Sequence, residues 1–122
     1  ENPFDISRLV IAAGASFVAR WTTYQARQLT SSIKNAMQRK GFSFIEVITQ
    51  CPVQFGKKTG SGSAVQMMRE YKENSIAAKD AEKLSEKELQ GKIVVGELVN
   101  RNIPEMVEEI RKMKQRASGA KK

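Results

Sequence analysis

The sequence has 122 residues, with 21 Lys plus Arg against 13 Asp plus Glu, no histidine and one cysteine, Cys51. A lone cysteine cannot form a disulfide within the chain, and the missing histidines exclude zinc sites and histidine-based acid–base catalysis within this chain alone. Its apolar runs are shorter than a membrane span, and its first residues lack the basic and apolar regions of a signal peptide. We therefore expect a soluble, cytoplasmic protein of one domain.

The excess positive charge is concentrated at the end of the sequence. The net charge is +8, and six cations without an acid lie between Arg111 and Lys122. Because cations suit the carboxyl end of a helix, this pattern favours a helix end over a nucleic-acid-binding arm. We expect one α/β domain over residues 1–115 and a disordered basic tail over residues 116–122, and we do not expect nucleic acid as a partner.

The first part of the chain predicts a helix, a strand, a helix and a second strand. Asp5 is a suitable N-cap for the first helix, and residues 16–21 have the alternation of a strand. Thr22 and Gln25 have the capping-box spacing at the start of the second helix, which ends before Gly41. A strand, a helix and a strand at this spacing predict a right-handed βαβ unit with parallel strands.

The segment 42–56, FSFIEVITQCPVQFG, is the one around which we expect the chain to be organised. Its apolar, β-branched residues show little alternation, which predicts a strand covered on both faces. Ligand sites in open parallel sheets lie just beyond the carboxyl ends of the strands. Thr49, Gln50 and Cys51 therefore lie where a functional site is expected.

The second half predicts a loop, a helix, a solvated segment, a strand and a last helix, at residues 56–63, 64–71, 76–90, 92–99 and 104–113. The loop is rich in glycine and lysine but matches no known phosphate-binding pattern, so a flexible connector is favoured over an anion site. Gly96 marks either a close contact or a bulge in its strand. We expect the apolar residues of the last helix to pack on the sheet.

The residues alone leave several roles open for Cys51. It can be a small buried hydrophobic residue, as isolated cysteines often are. It can be a catalytic thiolate whose pKa is lowered by Lys57 and Lys58, although the histidine that usually activates such a thiol is missing. It can also be a metal or iron–sulfur ligand, since a Cys-Pro loop at a sheet edge suits that role, but a cubane cluster takes four thiolates.

Four segments of the sequence carry a family resemblance. They are FDISRLVIAAGASFVARWT, QARQLTSSIKNAMQRKGFSFIEV, ITQCPVQFG and KIVVGELVNRNIPEM. Together they closely resemble the β subunit of 2-oxoacid:ferredoxin oxidoreductases, in particular the 2-oxoglutarate type. The resemblance covers nearly the whole chain and is weakest over residues 76–90 and in the basic tail.

The resemblance implies a function and a set of cofactors. Enzymes of this family decarboxylate a 2-oxoacid on thiamine diphosphate with Mg²⁺, pass electrons through a [4Fe-4S] cluster to ferredoxin, and capture the acyl group as a coenzyme A thioester. Cys51, in Thr49-Gln50-Cys51-Pro52, matches the last cluster-ligating cysteine of the family. The resemblance thus implies that Cys51 is a metal ligand, with no catalytic or cofactor-binding residue elsewhere in this chain.

The sequence also departs from the family pattern. It has no CxxC pair and no Gly-Asp-Gly segment of the kind that holds magnesium and the diphosphate. We therefore expect the carboxyl-terminal part of a β subunit, with parallel β-strands alternating with helices as part of a thiamine-diphosphate-binding fold. By itself it should hold no cofactor and be inactive.

The partners implied by the resemblance are the remaining half of the β subunit, the α subunit and ferredoxin. One alternative function belongs to another class. In it, the chain is a small non-enzymatic α/β binding module whose basic tail binds RNA or an acidic partner.

Overall fold

The computed structural model describes residues 4–119 as a single sheet flanked by helices. The strands are β1 (Phe17–Thr22), β2 (Ser43–Ile48), β3 (Ser75–Ala77) and β4 (Ile93–Asn100). The helices are α1 (Ile6–Ala12), α2 (Ala26–Gln38), α3 (Lys57–Thr59), α4 (Ala64–Asn74), α5 (Ala78–Ala81), α6 (Glu86–Leu89) and α7 (Met106–Ala117). A 3₁₀ turn precedes α2 at Thr23–Gln25, and a π-helical turn follows β2 at Pro52–Gly56.

The sheet has the strand order β2-β1-β4-β3. β1 and β2 are parallel and in register from Phe17↔Ser43 to Thr22↔Ile48, as the predicted βαβ unit requires. This arrangement confirms the α/β class. One feature differs from the expected parallel arrangement, because β4 runs antiparallel to β1. After β2 the chain passes through α3 to α6 and β3, and it returns along the opposite edge of β1 in the reverse direction.

The centre of the sheet is β1 and not β2, around which we expected the chain to be organised. Phe17, Val18 and Ala19 are completely buried, since strands lie on both edges of β1 and helices α1 and α2 pack against it. β2 is an edge strand with partly exposed side chains, and Val47 is exposed. The prediction that both faces of β2 are fully covered was therefore wrong for this structure. The strand has one neighbouring strand, and the helices cover it incompletely.

The predicted starts of the first two helices are confirmed. Asp5 caps α1 by accepting a hydrogen bond from the Arg8 backbone N–H at 3.0 Å. Thr22 and Gln25 form the predicted capping box, from which the 3₁₀ turn leads into α2. These side chains accept hydrogen bonds from amide groups that have no partner inside the helix. Because the side chain and the amide lie within three residues of each other, the caps could be predicted from sequence.

Gly96 lies in an irregular part of β4. Its φ is +135°, which glycine adopts more readily than other residues, whereas a Cβ at this position would make only an ordinary contact of 3.5 Å with the Cβ of Ala78 on α5. The register between β1 and β4 also shifts, since Val18 pairs with Val99 whereas Ala19 pairs with Glu97. The residue between these two partners is the extra residue of a β-bulge.

The last third of the chain differs most from the predictions. Residues 76–90 contain part of β3 as well as α5 and α6, and the short strand was not predicted. The last helix, α7, leaves Met106, Val107 and Met113 exposed, so the expectation that its apolar residues pack on the sheet was wrong. α7 continues to Ala117, and residues 120–122 of the predicted tail lie outside the described residues.

Candidate functional site

Cys51 lies where the sequence predicted a site, just beyond the carboxyl end of β2. The strand ends at Ile48, and Cys51 is the N-cap residue of the turn Pro52–Gly56. The Gly56 N–H donates a hydrogen bond to the Cys51 carbonyl at 3.0 Å and closes this turn. Pro52 suits the first position of the turn because its φ is preset and it has no N–H to satisfy.

The turn is held in place by α4. Gly56 is buried, and a Cβ there would come within 3.5 Å of the Gly62 carbonyl and 3.6 Å of the Met67 sulfur. Met67 is itself almost completely buried. The Cys51 turn thus packs against α4, and a methyl group at position 56 would make only ordinary van der Waals contacts there.

The Cys51 side chain is exposed, which rules out the buried-hydrophobe interpretation for this structure. The backbone N–H of Phe55, followed by those of Gln54 and Val53, lowers the pKa of the thiol below its ordinary value of 9.0. Lys57 was expected to contribute but is not among the causes. The turn therefore favours the thiolate, which is the form that ligates metals.

A bond between the strand ends lies next to Cys51. Thr23, which follows β1, donates a hydrogen bond through Oγ1 to the side-chain oxygen of Gln50 at 2.6 Å. A groove of about 340 Å³ opens there, lined by Tyr24, Gln50, Ala64, Val65, Met68, Arg69 and Lys72. This groove was not predicted from sequence. The predicted parallel pairing of the two strands was the available signal, since parallel strands bring the residues that follow them to the same edge of the sheet, as the register of Thr22 with Ile48 shows.

The exposed surface around Cys51 is apolar and basic. Val53, Phe55 and Val65 are exposed, and they lie on the Cys51 turn and on α4. The sequence from Val47 to Arg69 contains no acidic residue. Apolar side chains of this size left in solvent are typical of a surface that another polypeptide covers.

A second polar cluster joins α1 to the sheet on the opposite side from α2. Arg20 donates from Nε to a Glu46 carboxylate oxygen at 2.7 Å and from Nη2 to Asp5 at 2.6 Å. Ser7 donates to the same Glu46 oxygen at 2.5 Å. Arg20 thus forms ion pairs with both Asp5 and Glu46. Because each partner is already engaged, the cluster stabilises the packing of α1.

The glycine-rich loop does not form an anion cradle. Lys57 and Lys58 lie in the short helix α3, and Thr59 donates a hydrogen bond to the Phe55 carbonyl at 2.8 Å. Gly60 has a left-handed backbone with φ of +67° and ends this helix. The loop is thus a connector with internal bonds, as the sequence favoured.

Among residues 4–119, no group of three or more His, Cys, Asp or Glu side chains is arranged to hold a metal ion. Cys51 is the single thiolate of the sequence, so a cluster ligated here would need its other ligands from a different polypeptide segment. None of the helices described is long and apolar enough to cross a lipid bilayer.

Curated relatives match nearly the whole chain. The chain is 52% identical over 119 residues to the 2-oxoglutarate synthase subunit KorB of Methanothermobacter thermautotrophicus, covering 98% of this chain and 42% of the relative. It is 50% identical over 113 residues to the KorB subunit of Methanocaldococcus jannaschii, covering 93% and 42% of the two chains. The chain thus spans about two fifths of the length of these relatives. No protein-family model matches the chain.

A solved structure has the same fold. The 2-oxoglutarate:ferredoxin oxidoreductase from Magnetococcus marinus, with 2-oxoglutarate, coenzyme A and succinyl-CoA bound, superimposes with a TM-score of 0.70 at 20% identity. The match covers 98% of this chain and 41% of that chain. This structure shows that the fold is shared, and the KorB relatives show that the chain is similar to part of a 2-oxoglutarate synthase subunit.

Proposed function

We propose that this chain is the carboxyl-terminal part of the β subunit of a 2-oxoglutarate:ferredoxin oxidoreductase. The observation that carries the proposal is the 52% identity to a KorB subunit over 98% of the chain. The reaction of the whole assembly converts a 2-oxoacid and coenzyme A to an acyl-CoA and carbon dioxide. The two electrons released go to ferredoxin, and the chain alone is expected to be inactive.

Within that assembly, Cys51 is one ligand of a [4Fe-4S] cluster. Three properties support this role: an exposed sulfur, backbone N–H groups that favour the thiolate, and a position directly after a parallel strand. Amide groups directed at a cluster sulfur also raise the reduction potential of such clusters. When bound, the cluster accepts single electrons and passes them on.

The other cofactors are proposed for the whole assembly and not for this chain. The sequence lacks the Gly-Asp-Gly segment that holds Mg²⁺ and thiamine diphosphate in the family, so no residue here is assigned to them. What this chain contributes is a rigid sheet that positions Cys51. The remaining half of the β subunit, the α subunit and ferredoxin are the proposed partners.

The ligand assignment is tested by Cys51→Ser in the complete β subunit, reconstituted with iron and sulfide without oxygen. The expected result is loss of most of the bound iron and of the brown, oxygen-sensitive chromophore. Thr49→Ala, an exposed neighbour of Cys51 in the same loop, is the matched control and should retain its iron. If the Cys51→Ser subunit keeps the iron content of the control, the assignment is wrong.

A further inference from the structure

The hydroxyl of Thr23 joins the segments that follow the two parallel strands. Because Thr22 pairs with Ile48, the residues after both strands emerge at the same edge of the sheet. Thr23 Oγ1 donates a hydrogen bond to Oε1 of Gln50 at 2.6 Å, and both side chains are half-buried. Gln50 directly precedes Cys51, so this bond reaches the segment that carries the thiol.

Thr23 is held firmly on its own side of this bond. The preceding residue, Thr22, is completely buried, and its Oγ1 accepts a hydrogen bond from the Tyr24 N–H at 3.2 Å. The Thr22 N–H donates to Gln25 Oε1 at 3.1 Å, which completes the capping box of the 3₁₀ turn that contains Thr23. The Thr23 hydroxyl also lies 3.9 Å from the Met68 sulfur on α4. Contacts on two sides therefore fix the position of the donor.

The segment on the other side of the bond has less support of its own. Thr49 and Gln50 join β2 to the Cys51 turn and belong to neither helix nor strand. Among residues 4–119, the bond from Thr23 is the one hydrogen bond that the Gln50 side chain makes. It anchors the start of the Cys51 turn, whereas the bond from the Gly56 N–H to the Cys51 carbonyl anchors its end.

Such an anchor matters for a ligand that stands alone in its chain. Cys51 is the single cysteine of the sequence, so no second thiolate of this chain fixes the direction from which it meets a cluster. A turn that moves freely before binding loses conformational freedom when the cluster binds, and this loss weakens binding. Groups that orient a metal ligand from outside the coordination sphere typically contribute about 10- to 100-fold to metal affinity.

We propose that Thr23 is a positioning residue for the cluster ligand Cys51 and that it acts through Gln50. The inference rests on the proposed function, which makes Cys51 a ligand. The Thr23 hydroxyl holds the Gln50 side chain, and Gln50 in turn fixes the start of the Cys51 turn. The thiolate is thereby presented in one direction before the cluster binds.

Iron retention by the complete, reconstituted β subunit tests the role of the hydroxyl. Thr23→Val replaces the hydroxyl by a methyl group of similar size, so the contact with Met68 remains. The concentration of an iron chelator that removes half of the iron should be about 10- to 100-fold lower than for the parent. Thr23→Ser keeps a hydroxyl and should restore the parent value. An unchanged value for Thr23→Val, or no restoration by Thr23→Ser, would overturn the inference.

Thr30→Val is the matched control for the loss of a threonine hydroxyl. Thr30 Oγ1 donates to the Ala26 carbonyl at 2.9 Å within α2, and it makes no bond to the Cys51 segment. This variant should hold iron as the parent does, and the urea midpoints of the two valine variants of the complete subunit should be similar. If Thr30→Val lost iron to the same extent as Thr23→Val, general stability would explain the effect and the positioning role would be wrong.

A double-mutant cycle tests whether Thr23 acts through Gln50. Gln50→Ala removes the acceptor of the bond and should weaken iron retention by about the same factor as Thr23→Val. Adding Thr23→Val to Gln50→Ala should have no further effect, because the bond is already absent. Effects that multiply in the double variant would show that the two residues act independently, which contradicts the inference.

The positioning role and the ligand assignment fail separately. If Cys51→Ser loses its iron whereas Thr23→Val holds iron as the parent does, the positioning role is wrong and the ligand assignment stands. If Cys51→Ser keeps its iron, the ligand assignment is wrong, and Thr23 then has no ligand to position.

Discussion

At the scale of single residues, Cys51 shows how a turn changes the chemistry of a side chain. The sequence placed the thiol after a strand and near two lysines, whereas the structure shows backbone N–H groups as the cause of its lowered pKa. The lysines lie in α3 and do not contribute. The sequence shows which side chains lie near Cys51. Whether three backbone N–H groups point toward its sulfur depends on how the chain turns at Pro52–Gly56.

Alkylation of Cys51 with iodoacetamide measures this effect. Because the thiol pKa is lowered from 9.0 in the folded chain, the reaction rate should rise at a lower pH than in the chain unfolded in urea. Replacing Lys57 and Lys58 together by glutamine should leave the profile nearly unchanged. A profile that moves back to the unfolded one in this variant would show that the lysines, and not the turn, set the pKa.

Asp5 gives a prediction about the pH dependence of stability. Partial burial opposes its ionisation, but the Arg8 N–H and the Arg20 guanidinium outweigh this effect and lower the pKa of the carboxyl below 3.8. A carboxyl with a lower pKa in the folded state stabilises the protein above its unfolded pKa. This stabilisation is lost progressively as the pH falls from about 5 through the folded pKa.

Asp5→Asn retains an N-cap side chain but removes the charge. The free energy of unfolding of the variant, measured in urea, should be lower than that of the parent at neutral pH and should converge with it in acid. A difference between the two proteins that stays constant down to low pH would show that the charge of Asp5 does not stabilise the fold.

At the scale of helices and strands, local patterns predicted most elements but not their positions in the sheet. α1, α2, β1, β2 and β4 all occur near the predicted segments, because capping residues and apolar periodicity act within each segment. β3 was missed, since a three-residue strand in an Ala- and Lys-rich segment exists only because β4 offers it an edge. The antiparallel direction of β4 could not be predicted from local sequence either, because it depends on the path of the chain between β2 and β4.

Two glycines that end helices form a matched pair for testing a close contact. Gly14 and Gly41 have nearly equal φ values, +91° and +92°, but a Cβ at Gly14 meets no atom within 4 Å, whereas one at Gly41 collides with the hydroxyl of Ser16. Ser16 is only 4% exposed, so it has little room to move. Gly14→Ala should cost about 1–2 kcal/mol for the left-handed backbone alone.

Gly41→Ala should destabilise the chain more than Gly14→Ala, because it adds the collision to the same backbone strain. Urea unfolding followed by the fluorescence of Trp21, the one tryptophan of the chain, measures both variants. Equal losses of stability would show that the backbone around Ser16 adjusts without cost.

At the scale of the whole molecule, large apolar side chains are exposed on several parts of the surface. They lie beside β2, around the Cys51 turn and on α7. The KorB relatives are more than twice as long as the segment that matches this chain. The basic tail remains the basis of the alternative binding function, and Lys121 and Lys122 lie outside the described residues.

Reconstitution of the 122-residue chain with iron and sulfide tests whether Cys51 suffices for a cluster. One thiolate lacks the chelation that makes such sites stable, so we expect no iron to remain after desalting. The control is the complete β subunit treated in the same way. Stable iron in the short chain, with four chains associated per cluster by gel filtration, would contradict this expectation.

The sequence by itself determined the helix caps, the βαβ unit, the position of Cys51 after a strand and the resemblance to a family. These features depend on residues close together in the chain, or on a pattern shared with relatives. Tertiary structure decided that β1 and not β2 is the central strand, that β4 runs antiparallel, and that amides of the Cys51 turn favour the thiolate. An apolar strand looks the same in sequence whether its neighbour belongs to the same chain segment or to another, because burial depends on what packs against the strand.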